Sequence, residues 1–192
     1  KQIKLADAVS FKAGERILLE QAEVGDIIGI HNHGTIKIGD TFSSGEELKF
    51  VGIPNFSPEL FLRVRLRDPL KAKQLQKGLA QLAEEGSTQV FIPLDGGDSV
   101  VGAIGQLQFD MVSFRLREEY QVEAIYGSAN IFTARWIIAS NEKLLQEFRK
   151  KVRAHLYYDG GGHLAYLAPS LANLSVVEDR WSDLEFKTIR EH

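Results

Sequence analysis

The chain contains no cysteine, which excludes a disulfide framework and any thiolate metal site and suits a reducing compartment. No apolar run approaches the roughly 18 residues that a membrane helix requires. The opening residues KQIKLADAV have neither the basic start nor the apolar core of a signal peptide. Neither export nor membrane association is expected. A dominant charge is also missing: 23 basic against 26 acidic side chains leave a net charge of -3, so no global field would hold a polyanion. Contact with nucleic acid would have to come from local patches. What is present is 44% hydrophobic content over 192 residues, enough for one large domain or two small ones.

Residues 1–53 read as short strands broken by turns: FKAGERILLEQA, VGDIIGIHNHG and TIKIGDTFSSGEELKFVGI, punctuated at Gly25-Asp26 and Gly39-Asp40. Four or five strands fit this length, whereas a small barrel closes with roughly six or more. A β-barrel truncated at its N-terminus is therefore expected. Pro54 and Pro58 stiffen a linker. After it, Leu60, Leu62, Val64 and Leu66 alternate with Phe61, Arg63, Arg65 and Arg67 as in a half-buried strand.

Asp68-Pro69 then caps and opens a helix with a Leu75, Leu79, Leu82 stripe, slightly weakened by Gly78 and ended by Gly86. Thr88 to Leu94 reads as a strand and Asp95-Gly96-Gly97-Asp98 as a hairpin turn. A β-branched run at Val100 and Val101 leads through Gly102 and Gly105 into a helix carrying Leu107, Phe109, Met111, Val112, Phe114 and Leu116, a face wider than a surface helix needs. A strand at 121–126 closes the series. Strand, helix, strand, strand, helix, strand over 59–126 is the order of a ferredoxin-like unit.

Beyond it, 131–139 reads as a strand, Ser140 as the cap of a helix with a buried line through Leu144 or Leu145, Phe148, Val152 and Leu156, and 159–163 as a glycine turn. A strand at 164–168, a short helix at 170–177 and a strand at 184–189 follow. The expected fold class is β followed by α/β: a partial β-barrel over 1–56, then an α+β domain over 57–192. The latter comprises the ferredoxin-like unit and, over 127–192, an additional strand-helix-strand layer.

Few residues suggest chemistry. The glycines of YDGGGHLAY lack the following lysine of a phosphate loop and read as a turn. His31 and His33 would share one face of an extended segment, as half of some zinc sites do, but no third ligand is indicated and a polar hairpin loop accounts for them. Glu84-Glu85 and Glu118-Glu119 end helices and read as solvated faces; no nucleophile stands with a base. Trp136 and Trp181 read as core or interface residues.

Arg149, Lys150, Lys151, Arg153 and His155 put five basic groups into seven residues at the end of a helix. Cations there complement the carbonyl dipole, yet the number exceeds what one helix end uses, which leaves phosphate contact open. Lys71, Lys73 and Lys77 sit near a helix start, where the dipole disfavours them, and hint at an external anion.

VGDIIGIHNHGTIKIGDTF resembles the closing strands of the second domain of translational GTPases, in its G-D-[IL]-x-G and I-x-x-G-D-T-[FL] patterns. LFLRVRLRDPLKAKQLQKGLAQLAEEG and GAIGQLQFDMVSFRLREEYQVEAIY resemble their third domain, where G-x-x-G-x-L opens the helix. The GIHNHG loop, FVGIPNFSPELF, TARWI, DGGGHLAYLAPS and FKTIREH are together most similar to the bacterial peptide chain release factor three family. The resemblance spans essentially the whole chain, without the GTP-binding domain and the first barrel strands. It implies a cytoplasmic, ribosome-binding fragment of a class II release factor, which as a whole drives stop-codon-reading release factors off the ribosome at the expense of GTP.

By the same resemblance this chain is not itself an enzyme and holds no cofactor, GTP or GDP and Mg belonging to the missing domain. Its partners would be rRNA and ribosomal proteins, the stop-codon-reading factors and its own GTP-binding domain, and no membrane. Lys71, Lys73, Lys77, Arg149, Lys150, Lys151, Arg153, His31 and His33 are the candidate contacts to the ribosome or RNA. The corresponding part of an elongation-factor-like GTPase, and a small α/β enzyme with an unrecognised site, are the alternatives.

Overall fold

Residues 7–12, 15–31, 36, 39–48 and 55–190 are described by a computed structural model, in which the chain forms two units, 1–40 and 41–192. In the first, Val9–Lys12 (β1) and Glu15–Leu18 (β2) pair antiparallel with Val9 opposite Leu18. Val9 also exchanges both backbone hydrogen bonds with Gly29, at 2.9 and 2.7 Å. These are the only strands among the described residues of that unit, and Phe11, Leu18, Val24 and Ile27 are exposed. His33, Gly34 and, of the expected linker, Pro54 lie outside the described residues.

The second unit is built on one large antiparallel sheet. Asn55–Phe56 (β3) precedes Leu60–Leu66 (β4), whose end leads through a 3-10 turn at Pro69–Lys71 into Ala72–Glu84 (α1). The turn is capped by Asp68, whose Oδ1 accepts from Leu70 N–H at 3.0 Å. Gln89–Pro93 (β5), Val100–Ala103 (β6), Gln106–Tyr120 (α2) and Ala124–Ser128 (β7) follow. The strand expected from residue 121 starts three residues later, because Gln121 (φ 55°) is the left-handed cap that ends α2.

Thr133–Ile138 (β8) then precedes Glu142–Lys151 (α3) and a 3-10 turn at Arg153–His155. Leu156–Asp159 (β9), Leu164–Ala168 (β10), Leu171–Arg180 (α4), Glu185–Lys187 (β11) and Ile189–Arg190 (β12) complete the chain. Short β12 pairs with β3 outside the main sheet.

The main sheet runs β11-β8-β10-β9-β5-β6-β4-β7, with antiparallel neighbours throughout. Its second half repeats the first. β4-α1-β5-β6-α2-β7 is laid out as β5-β6-β4-β7, β8-α3-β9-β10-α4-β11 as β9-β10-β8-β11, and the halves meet where β5 pairs with β9. Strands β8 to β11 are thus not an added layer but a continuation of the same sheet. The difference turns on β9: the helix expected to run to Leu156 stops at Lys151, and Leu156 begins the strand that supplies an edge for β5.

Side-chain alternation sorts the core onto two faces. On one face, Val64, Val90 and Val101 pack beneath Leu75, Leu79 and Leu82 of α1 and Phe109, Val112 and Leu116 of α2. Leu156, Leu164 and Tyr166 pack beneath Phe148 of α3 and Leu174 and Val177 of α4. Ile92 opposes Tyr158 across the junction, which puts both helix pairs on the same side. The other face carries Phe61, Phe91, Val100, Trp136, Tyr157 and Leu167 across both halves.

α1 and α2 also touch one another. Arg115 donates from Nε and Nη2 to Glu119 at 2.6 and 2.8 Å, and Nη1 meets Glu85, so these carboxylates clamp one guanidinium instead of facing only water. Those bonds raise the arginine's pKa, and the Glu119 carboxyl is held below its usual range by the same guanidinium. At Gly78 the helices approach tightly: a Cβ there would stand 2.6 Å from Leu116 Cδ2 and 3.0 Å from Tyr120 Cγ. Helix propensity alone would make Gly78→Ala stabilising by about 1 kcal/mol. Because Leu116 is fully buried and cannot swing away, we expect Gly78→Ala to lower the melting temperature, and Gly78→Val to cost about 1–3 kcal/mol in urea unfolding.

Candidate nucleic-acid interface

Helix α3 forms because Asn141 caps it, its Oδ1 accepting from Lys143 N–H at 3.0 Å and Leu144 N–H at 3.3 Å, so Asn141 takes the role expected of Ser140. Glu142 stands in its first turn and Arg149, Lys150 and Lys151 in its last, each sign where the helix dipole favours it. Phe148 points into the core at 0% exposure, which fixes the side that Arg149 and its neighbours present.

Between the end of α3 and the β5–β9 junction lies an open cleft of about 460 Å³. Pro93 and Leu94 from the end of β5 and Tyr158 from β9 line it on the sheet side, and Gln146, Arg149, Lys150 and Arg153 on the helix side. Arg153 Nε pairs with Asp95 in the β5–β6 turn. Arg149 is half-buried, and its Nε is enclosed without a hydrogen-bond partner.

The cleft brings together three of the nine candidate residues, Arg149, Lys150 and Arg153. Lys151 is exposed but does not line it, and neither do Lys71, Lys73 and Lys77 at the start of α1. Strand register nevertheless relates the two clusters. The end of β4 lies beside the end of β5 through β6, and the end of β5 beside the start of β9, so the first turn of α1 and the last turn of α3 stand at the same end of the sheet. His31 is exposed and belongs to the other unit. No group of three His, Cys, Asp or Glu able to hold a metal occurs among the described residues.

Tyr158, Pro93 and Leu94 were not legible as cleft residues, since 156–159 reads as a helix end running into a turn; the β-favouring Leu-Tyr-Tyr ahead of three glycines is the signal that could have revealed the strand. The glycines themselves form the turn between β9 and β10, with Gly162 at φ 81°. Gly161 N–H and His163 N–H donate to Asp159 Oδ1 at 2.9 and 2.8 Å, so these two amides are already engaged within the turn.

Among the described residues, no helix is long and apolar enough to cross a membrane. A family model described as class II release factor RF3, C-terminal domain, matches residues 50–178. That segment contains the cleft, the sheet apart from β11, most of α4 and seven of the nine candidate contacts. With well over half of its 192 residues inside the match, the chain belongs to the class II release factor RF3 C-terminal domain family, a family of translation termination.

Proposed function

We propose that this chain is the ribosome-binding C-terminal region of a translational GTPase that promotes GTP-dependent release of stop-codon-reading release factors after termination. The family match over 50–178 is the observation that carries this reading. In it, the protein works in the cytoplasm, and its partners are rRNA, ribosomal proteins, the stop-codon-reading factors and a GTP-binding domain of the same protein. That domain would hold GTP or GDP with Mg and perform the hydrolysis, while this chain holds no cofactor and relays binding.

Residues 1–56 are assigned to the closing part of a translation-factor β-barrel and 57–192 to the C-terminal α+β domain. A ferredoxin-like unit over 59–126 within it is supported by the β5-β6-β4-β7 order. Lys71, Lys73, Lys77, Arg149, Lys150, Lys151 and Arg153 are assigned to RNA phosphates, the shared sheet end supporting their joint use.

The test is competition. Excess isolated chain, added to termination complexes with the full-length factor, is expected to slow removal of the stop-codon-reading factor. Absence of slowing at concentrations where the chain co-sediments with ribosomes, or absence of co-sedimentation, overturns the reading.

A triple variant separates the bland account of the cations from the functional one. Replacing Lys150, Lys151 and Arg153 by glutamate is expected to lower stability by roughly 0.3–1 kcal/mol per site, through the helix dipole at Lys150 and Lys151 and through loss of the Asp95 pair at Arg153. If they meet phosphates, co-sedimentation also weakens and its salt dependence flattens, because fewer counterions are released. Unchanged co-sedimentation across a salt series leaves the helix dipole and the Arg153–Asp95 pair as their whole role.

A further inference from the structure

The geometry points to the α3 cleft as the seat of one phosphodiester group of an RNA strand, with Arg149 as its principal donor and Tyr158 and Pro93 as the platform beside it. This rests on the ribosome-binding reading above and goes further, naming one group, one cavity and one leading residue.

Arg149 is the starting point. Its guanidinium is always charged, and its Nε–H is enclosed without a partner. Among the described residues it forms no ion pair, and neither does Lys150 beside it. The acidic group that meets a cleft cation is Asp95, taken by Arg153. The one Nε–H is sealed from solvent, but Arg149 lines the open cleft and is only half-buried, so the rest of its side chain is what an anion there would meet. Two cations without ion pairs lining one open cleft favour an anion from outside the chain.

The fold does not impose this arrangement. In the first half of the sheet the corresponding place is the end of α1, where Ala83 packs so closely on the β9–β10 turn that a Cβ on Gly160 would stand 3.0 Å from its own. There Ala83 and Gly160 stand in contact; at the end of α3 a cleft is open and lined with cations.

A planar guanidinium that can offer two parallel N–H donors suits phosphate oxygens, and Lys150 adds a flexible second charge. Tyr158 and Pro93 offer ring faces against which a ribose or base can lie, as single-stranded RNA requires. A volume of about 460 Å³ admits a nucleotide. The lysines at the start of α1, at the same end of the sheet, extend the positive track beyond one group, which fits a strand better than an isolated ion.

The test titrates the isotope-labelled 192-residue chain with a short single-stranded oligoribonucleotide and, separately, with inorganic phosphate, following the Arg149 Nε–Hε resonance. The expected result is a saturable shift with the oligonucleotide and a much weaker one with phosphate. Arg149→Ala is expected to lower oligonucleotide affinity roughly tenfold, and Arg149→Lys, which keeps the stem and charge, to recover part of it, with melting curves confirming the fold. An unmoved Arg149 resonance, equal affinity for Arg149→Ala, or phosphate binding as tight as oligonucleotide binding each overturns the proposal. If the unaltered chain co-sediments with ribosomes and Arg149→Ala does so equally, the phosphate seat fails and the ribosome reading stands. If the unaltered chain does not co-sediment, the ribosome reading fails and the resonance still decides the seat.

Discussion

Replacing Phe148 by alanine is expected to cost about 3–5 kcal/mol of stability, seen in urea unfolding as a lower midpoint with an unchanged slope. The ring is 0% exposed. It stands edge-on to Trp181 at 5.4 Å and to Phe186 at 5.8 Å between centroids, and tilted against Tyr166 at 6.2 Å. One side chain therefore joins α3 to β10, to β11 and to the end of α4. Truncation removes its transfer free energy and leaves a void that three other rings, each anchored on a different element, cannot close together. Phe148→Leu, which keeps much of the volume, is expected to cost less than half as much. A loss below about 1 kcal/mol for the alanine variant would mean that α3 does not pack here as described. Since Phe148 precedes Arg149, the alanine variant is also expected to loosen the cation cleft.

A loss of similar size, about 3–5 kcal/mol, is expected for Asp159→Ala. This carboxylate is 6% exposed and ends β9. Its Oδ2 accepts from Trp136 Nε1 at 3.0 Å, and its Oδ1 from the Gly161 and His163 amides at 2.9 and 2.8 Å. Arg190, whose side chain is 16% exposed, places Nε 2.9 Å from Oδ2 as an ion pair without hydrogen-bond alignment. Deleting the carboxylate strands a mostly buried guanidinium and an indole N–H together, and removes the internal cap of the glycine turn. Asp159→Asn keeps one acceptor oxygen but loses the charge, so its expected cost lies between wild type and alanine. Equal stability of all three proteins in denaturant unfolding would show that Arg190 and Trp136 find water or another partner instead.

Much of the second unit follows from local rules. The alternation from Leu60 to Arg67 makes a strand with two different faces, Asp68-Pro69 opens a helical turn, and the Leu75, Leu79, Leu82 stripe seats α1. Asp95-Gly96-Gly97-Asp98 turns the chain with both glycines at positive φ, and Ser170 caps α4. The cations of α3 are equally plain, as is the surplus over what a helix end uses. These features are encoded within a few residues of one another, so local sequence specifies them.

The rest of the fold was decided by contacts between distant segments. β9 is buried on both faces, so Leu156 to Asp159 shows no polar alternation, and Leu156, four residues after Val152, continues the helical spacing of α3 by coincidence. With β9 unseen, neither the repeat of one strand order in two halves nor the β5–β9 junction could be inferred. The cleft depends on that junction, because it draws on β5, α3 and β9 at once. Gly78 counted in sequence as a mildly poor helix residue, and only the approach of α2 made it a contact. Residue types and their spacing thus determined the strands, the helices and the presence of cations. Which edge pairs with which, and whether a given cation finds a partner, depended on the space left after packing, and that space was set by residues far apart in the chain.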